Sequence, residues 1–361
     1  MDLIRTGLQN LDDARANLDR LKADGVSDER LVGMLKALSK ACDPDCALSN
    51  FVDITNAMQS QGRDFDAMVP DEAALERLIT VLGVSDEMGK LMRFRPELVE
   101  AAANDACESH LYNHEQRKAH VLKSVGADPN DHAMPTASLP LAEAATALRK
   151  TYRKQLAAIM AQDATANDPI EIQPRISTEL SDLADAALEG ALAIARHEVD
   201  GSEHVRFAII GMGKLGAQEL NYVSDVDLIY VVEPADMDTN GMTLSRIGTK
   251  MATTLQRVCQ SVIMGVAEPT LWQIDGGLRP EGKDGPLVRR LESHEAYYEQ
   301  WAENWEFQAL LKARPVAGDT DLGQAYMDMT RPFVWTASKR DNFVYDCQQM
   351  RKRVEDLFPT R

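Results

Sequence analysis

The sequence has no surplus of positive charge. Its 57 acidic residues outnumber its 39 lysines and arginines, for a formal net charge of −18. Binding along a nucleic-acid backbone needs Lys and Arg to neutralise phosphates, so no nucleic-acid partner is expected. Cysteine is scarce and odd in number: Cys42, Cys46, Cys107, Cys259 and Cys347. Only the first two are close together, which excludes a disulfide framework and fits a reduced, cytoplasmic chain. Cys42-Asp-Pro-Asp-Cys46 has no second Cys or His pair at zinc-like spacing, so it reads as structural. No apolar run is long enough to span a membrane. The amino-terminal stretch MDLIRTGLQNLDDARANLD is amphipathic and acidic and lacks the apolar core of a signal peptide. No internal repeat is visible.

What is present is a core-forming composition, 44% hydrophobic and 27% charged over 361 residues, enough for one large domain or two to three ordinary ones. Residues 1–123 read as a helical region. Leu8, Leu11, Ala14, Leu18 and Leu21 recur at helical spacing, as do Leu31, Met34, Leu35 and Leu38. Ser27 and Ser85 read as N-caps, and Gly83 and Pro96 as punctuation. His110 and His114 share a helix face but lack further ligands, so surface histidines are the simpler reading. Ser124–Pro140 is rich in turn formers and reads as a loop. A helix from Leu141 follows, where Arg149, Lys150, Arg153 and Lys154 read as a solvated face. Asn167–Arg175 reads as a second loop, and Ser177 as the cap of a helix with Leu180, Leu183, Ala187, Leu188, Ala191 and Leu192 on one face. Beyond the centre, helices are expected near Thr243–Cys259, Glu292–Lys312 and Lys339–Leu357, with short strands at Val262–Val266 and Leu271–Ile274. Trp301, Trp305 and Phe307 read as core. Few strands among many helices imply an α+β fold with a small mixed sheet.

The chain is organised around Val205–Glu233. An apolar run, Val205–Ile210, stops at a glycine turn with Gly211, Gly213 and Gly216, and a second apolar run, Val226–Val232, follows. The glycines allow a sharp turn and close approach of backbone to a ligand. Lys214 is the turn's one positive charge. Asp225 and Asp227 stand two residues apart, so on a strand their side chains leave the same face. Paired carboxylates on a partly buried strand repel each other and call for a cation, and Mg2+ suits such oxygen ligands. Backbone N–H groups, Lys214 and Ser224 offer a phosphate cradle. Asp275, which ends Leu271–Ile274 before a Gly-Gly turn, is the candidate third carboxylate. Arg279, Lys283 and Arg289 follow it as candidate phosphate ligands.

Three segments then carry a resemblance: Gly211–Ile229 (GMGKLGAQELNYVSDVDLI), Asp275–Val288 (DGGLRPEGKDGPLV) and Trp301–Asp319 (WAENWEFQALLKARPVAGD). Together they resemble the glutamine synthetase adenylyltransferase/adenylyl-removing enzyme family. The likeness extends weakly to 82–100, 148–163 and 179–195. The resemblance implies a nucleotidyltransferase fold over 124–335, with 336–361 beginning a helical carboxy-terminal region. It implies two Mg2+ ions on Asp225, Asp227 and Asp275. Gly211, Gly213, Lys214 and Ser224 would cradle phosphate, and Arg279 and Lys283 would orient phosphate or pyrophosphate. It also implies ATP, ADP and phosphate as substrates or products, glutamine synthetase as protein substrate, and PII protein and glutamine as effectors.

That family carries two related sites in tandem halves, one attaching AMP to a tyrosine of glutamine synthetase and one removing it by phosphorolysis. The helical lead-in, the wording LRPEGKDGPLVR, and Gly277 where the adenylylating half often has arginine favour the amino-terminal, adenylyl-removing half. The chain stops at Arg361, where the family continues into a glycine-rich segment, so it is expected to be a fragment. Adenylylation by the same site, another nucleotidyltransferase such as a uridylyltransferase, and a non-catalytic regulatory module are the competing expectations.

Overall fold

A computed structural model describes residues 3–104, 112–236 and 240–357. The chain forms two compact units. One comprises Met1–Asn113 with Tyr152–Ile176, the other His114–Thr151 with Ser177–Arg361. The expected borders lie at 123/124 and 335/336; the two units follow packing, and two long helices each contribute to both.

The first unit is helical. It holds α1 (Leu11–Ala23), α2 (Asp28–Leu38), α3 (Pro44–Ser60), α4 (Phe65–Met68), α5 (Glu72–Val84), α6 (Asp86–Phe94) and α7 (Pro96–Ala103). Each helix start has a local cause. Ser27 accepts from the Arg30 N–H and Ser85 from the Met88 N–H, and Pro96 opens α7 where no N–H is needed. Leu31, Met34, Leu35 and Leu38 are buried with the apolar faces of α3 and α5 in one core. Within this unit, Ala157, Met160 and Ala161 of α9 (Leu141–Ala164) join that core. Cys42, Cys46, Cys259 and Cys347 are free thiols. His110 and Cys107 lie outside the described residues.

The second unit carries α8 (His114–Ser124), the first part of α9, most of α10 (Pro169–Glu198) and a five-stranded mixed sheet. Its strands are β1 (Val205–Gly211), β2 (Val226–Pro234), β3 (Ile274–Asp275), β4 (Val288–Arg289) and β5 (Arg314–Gly318). β1 is central, antiparallel to β2 on one side and to β5 on the other; β3 and β4 both pair parallel with β2. The fold is therefore α+β, as expected.

One sheet face presents Ala208, Ile210, Ile229 and Val231. They pack in one core with residues of α13 (Leu291–Gln300), α14 (Asn304–Leu310) and α15 (Thr320–Ala337). Phe207 and Tyr230 meet in a tilted ring contact on the opposite face, where Gln256 of α12 (Gly241–Gln260) reaches the Tyr230 hydroxyl. The last helix, α16 (Phe343–Leu357), packs on α14.

Several local expectations need correction. α10 starts at Pro169, capped by Asp168, whose carboxylate accepts from the Ile170 and Glu171 N–H groups; Ser177 lies inside the helix. Pro169 at the first helical position forfeits nothing, because the first N–H groups of a helix lack partners anyway, whereas Pro174 lies inside the helix. Val262–Val266 is not a strand, and only Ile274–Asp275 of the next segment pairs. Carbonyls of the connection are instead taken by Arg149, which donates to Val258, Ser261 and Glu268. Arg149 and Arg153 are accordingly buried rather than solvated. Residues 292–312 split into α13 and α14, and Arg314–Gly318, for which no element was expected, is β5. Its proline is tolerated because β5 is an edge strand. Phe307 is core, but Trp301 is 73% exposed at the break between the two helices.

Candidate active site

Two strands bring the carboxylates together. Asp227 lies on β2 and Asp275 on β3, and the two are direct neighbours in the parallel register. Side chains of laterally paired residues leave the same face of a sheet. Asp225 precedes β2 by one residue and has the parity of Asp227. The strand end is anchored by the Val226 N–H on the Gln273 carbonyl (3.0 Å) and by the Ile274 N–H on the Gln260 side chain (2.7 Å).

The electrostatics agree with the geometry. Asp227 is half-buried, and its carboxyl is pushed up to about 6, first by burial and then by the charges of Asp225 and Asp275; Lys214 opposes the shift. Three carboxylates thus share one field with too little cation to balance them. Asp275 spends one oxygen on the Gly277 N–H, at 2.6 Å, which fixes its rotamer. Residues of this kind fit divalent cations: hard oxygen donors, two of them side by side in the sheet register and the third one residue ahead of β2.

The glycine turn lies against this cluster. It forms a single helical turn, α11 (Gly213–Gly216), between β1 and β2. The Met212 N–H donates to the Asp227 carbonyl at 2.8 Å. Gly213 has φ +55°, and a Cβ there would stand 2.4 Å from the Asp227 carboxylate. Only glycine permits both the backbone angle and the approach. A Cβ on Gly216 would fall 1.9 Å from the Lys312 carbonyl, so the turn's far end is equally closed to a side chain. Gly211 ends β1 and packs toward Val316 of β5 rather than toward the carboxylates. Lys214 is exposed beside the cluster, and Ser224 is half-buried next to Asp225.

The candidate phosphate ligands separate into two kinds. Lys283 is exposed, with its stem near Gly277. Arg279, by contrast, spends its guanidinium on the carbonyls of Gly276 (2.7 Å), Lys283 (3.0 Å) and Gly285 (3.1 Å), which shapes the loop after Asp275. Arg289 is ion-paired with Glu281 and donates to Ser293. A surface cleft of about 900 Å³ beside α14 and α16 is lined by Trp305, Arg340 and Tyr345 among others, and contains none of the three carboxylates.

Sequence reasoning passed over a buried polar edge of α10. Asp185, 1% exposed among apolar neighbours, pairs with Arg314 of β5, and Glu189 pairs with Lys118 and Arg196. The available signal was an acid placed inside a long apolar helix, which demands a partner. His114 and Asp182 adjoin Asp185, a grouping with metal-ligand chemistry. The Arg314 guanidinium already serves as cation for Asp185, and Gln218 holds Asp182.

Comparison with known proteins gives the family. The family model for glutamate-ammonia ligase adenylyltransferase matches residues 75–329. The chain belongs to that family. It is 77% identical over 359 residues to the bifunctional glutamine synthetase adenylyltransferase/adenylyl-removing enzyme of Bifidobacterium longum, covering 99% of this chain and 33% of that one. The proteins of the same name from Cutibacterium acnes and Streptomyces avermitilis are each 39% identical, with 100% and 95% of this chain covered and 36% and 32% of theirs. The chain thus spans about a third of the length of the family members it matches. Among the described residues no helix is long and apolar enough to cross a membrane.

Proposed function

We propose that this chain carries the adenylyl-removing site of its family: a Mg2+-dependent nucleotidyltransferase that phosphorolyses the AMP–tyrosine bond of adenylylated glutamine synthetase and releases ADP. The observation that carries the proposal is the placing of Asp227 beside Asp275 in register, with the glycine turn closed onto the Asp227 carboxylate. On this reading residues 124–335 form the catalytic region.

Mg2+ held by Asp225, Asp227 and Asp275 would supply charge neutralisation and lower the cost of bringing an anionic nucleophile to an anionic phosphorus. The chain's own groups do the rest. Gly213 and Lys214 present backbone and side-chain N–H groups to phosphate oxygens, and Ser224 adds a hydroxyl. Asp275 accepts the Gly277 N–H with one oxygen, and its other oxygen is the one it would offer to the cation. A phosphate oxygen attacks the adenylyl phosphorus, the bond to the tyrosine oxygen breaks, and that oxygen takes up a proton. Positioning and field supply most of the acceleration. Lys283 orients the incoming phosphate, while Arg279 shapes the loop that presents it.

The direction of transfer rests on the resemblance, in which the adenylylating half often has arginine where this chain has Gly277. A Cβ at this position would approach the Asp275 carboxylate to 2.9 Å. Glutamine synthetase as protein substrate, PII protein and glutamine as effectors, and a cytoplasmic setting belong to the same proposal.

The test is phosphorolysis. The chain is incubated with adenylylated glutamine synthetase, phosphate and Mg2+, with Asp225→Asn as control. ADP that appears with the wild-type chain and not with the variant is the expected result. Consumption of ATP with adenylylation of the unmodified enzyme, and no ADP from the adenylylated one, would reverse the direction. No turnover either way from folded chain would leave a binding module as the better account.

A further inference from the structure

Arg314 opens β5 and faces Gly211 in the sheet register. Its guanidinium forks onto Asp185 of α10, with Nη1 2.5 Å from Oδ2 and Nη2 3.1 Å from Oδ1. The same group donates to the carbonyls of Leu215, from Nη2 at 3.1 Å, and Gly216, from Nε at 3.3 Å. Those are the closing carbonyls of the glycine turn. An ion pair with one partner this deeply buried is a poor source of stability, because desolvation offsets the attraction unless every hydrogen bond is made. An apolar pair would fill the space at no greater cost. What an apolar pair lacks is a rigid, planar set of donors able to grip two carbonyls and a carboxylate at once.

The turn is thus held at both ends. Met212 ties its start to the Asp227 carbonyl, and Arg314 ties its end to α10 through Asp185. Between them Gly213 lies against the Asp227 carboxylate, and Gly216 lies so close to the Lys312 carbonyl that a Cβ there would meet it at 1.9 Å. Asp225, Asp227 and Asp275 sit at the end of β2 and on β3, and none of the hydrogen bonds of Arg314 reaches them.

We infer that Asp185 and Arg314 are positioning residues: through the carbonyls of Leu215 and Gly216 they set the glycine turn and Lys214 at the distance from the carboxylate cluster that phosphate binding requires. The inference rests on the proposed role of the turn as a phosphate cradle. A structural staple and a positioning pair differ in what they disturb. Loss of a staple lowers stability and weakens every ligand in proportion to the protein unfolded. Loss of a positioning pair weakens the phosphate-bearing ligand and spares the cation.

The experiment is calorimetric titration of the full 361-residue chain. Mn2+ is titrated alone, then ADP in saturating Mn2+, against wild type, Asp185→Asn and Arg314→Lys. The lysine variant keeps a cation for Asp185 but cannot hold both carbonyls, which protects the test should Asp185→Asn fail to fold. For the folded variants ADP affinity is expected to fall about tenfold or more, as small misplacements of a binding group do, with Mn2+ affinity within about twofold of wild type. Unchanged ADP affinity in Arg314→Lys, or ADP and Mn2+ weakening in parallel, overturns the inference while leaving the cradle intact. A wild-type chain that binds Mn2+ but no ADP overturns the cradle itself, and the inference with it.

Discussion

Asp227 stands under two opposed demands. It must be partly buried to sit beside Asp275, yet burial and its acidic neighbours push its carboxyl up to about 6. The sign of the consequence follows from linkage. The native state binds this proton more tightly than the unfolded chain, so stability contributed at low pH is lost as pH rises through the window from the ordinary carboxylate value to about 6. Above that window the metal-free protein carries a penalty at this position. Asp227→Asn removes it. In chelator at pH 7.5 the variant should melt a few degrees above wild type, in line with the small free energies involved, and the gap should shrink at pH 4.5. Adding Mn2+ should invert the order by stabilising wild type alone. Scanning fluorimetry reads all three conditions, and equal stabilisation of both proteins by Mn2+ would remove Asp227 from the site.

At the scale of elements, the connection between α12 and β3 decides where Asp275 lies. Residues 261–270 form no regular structure, so their backbone needs other partners. Arg149, 1% exposed on α9, supplies them for Val258, Ser261 and Glu268, and the Leu271 N–H closes the connection on the Cys259 carbonyl at 2.8 Å. The basic run in which Arg149 sits reads as a solvated face until the loop's demand for donors is known. Arg149→Met fills the space but leaves three carbonyls unsatisfied. It should cost about 3–5 kcal/mol, as loss of a buried multi-bonded charge does. Urea denaturation measures this directly. A loss below about 1 kcal/mol, the net value of one ordinary hydrogen bond, would show that the loop finds other donors.

At the scale of the whole molecule, the candidate site is built entirely within the second unit, while the first has its own apolar core. Leu78 is fully buried in that first core. Leu78→Ala should destabilise the first unit by about 2–5 kcal/mol, the range for a buried leucine deletion. Affinity for Mn2+ and for ADP, measured well below the melting transition, should stay at the wild-type value. A parallel loss of ligand affinity would mean that the site draws on the first unit.

Sequence alone determined the features that are local. The strand–turn–strand at Val205–Glu233, the caps at Ser27 and Ser85, the heptad-like burial of Leu31, Met34, Leu35 and Leu38, and the α+β class all follow from periodicity and short-range hydrogen bonding, which neighbours along the chain specify. The spacing of Asp225 and Asp227 pointed to a common face in the same way; the structure places Asp227 on β2 and Asp225 one residue ahead of it. Only tertiary structure decided what depends on distant partners. It brought Asp275 into register with Asp227, turned Arg-Pro-Val-Ala-Gly into an edge strand, exposed Trp301, and joined Asp185 to Arg314 across more than a hundred residues. A side chain's fate in such cases is set by the polar groups it must satisfy when water is excluded, and no spacing along the chain records where those groups will be.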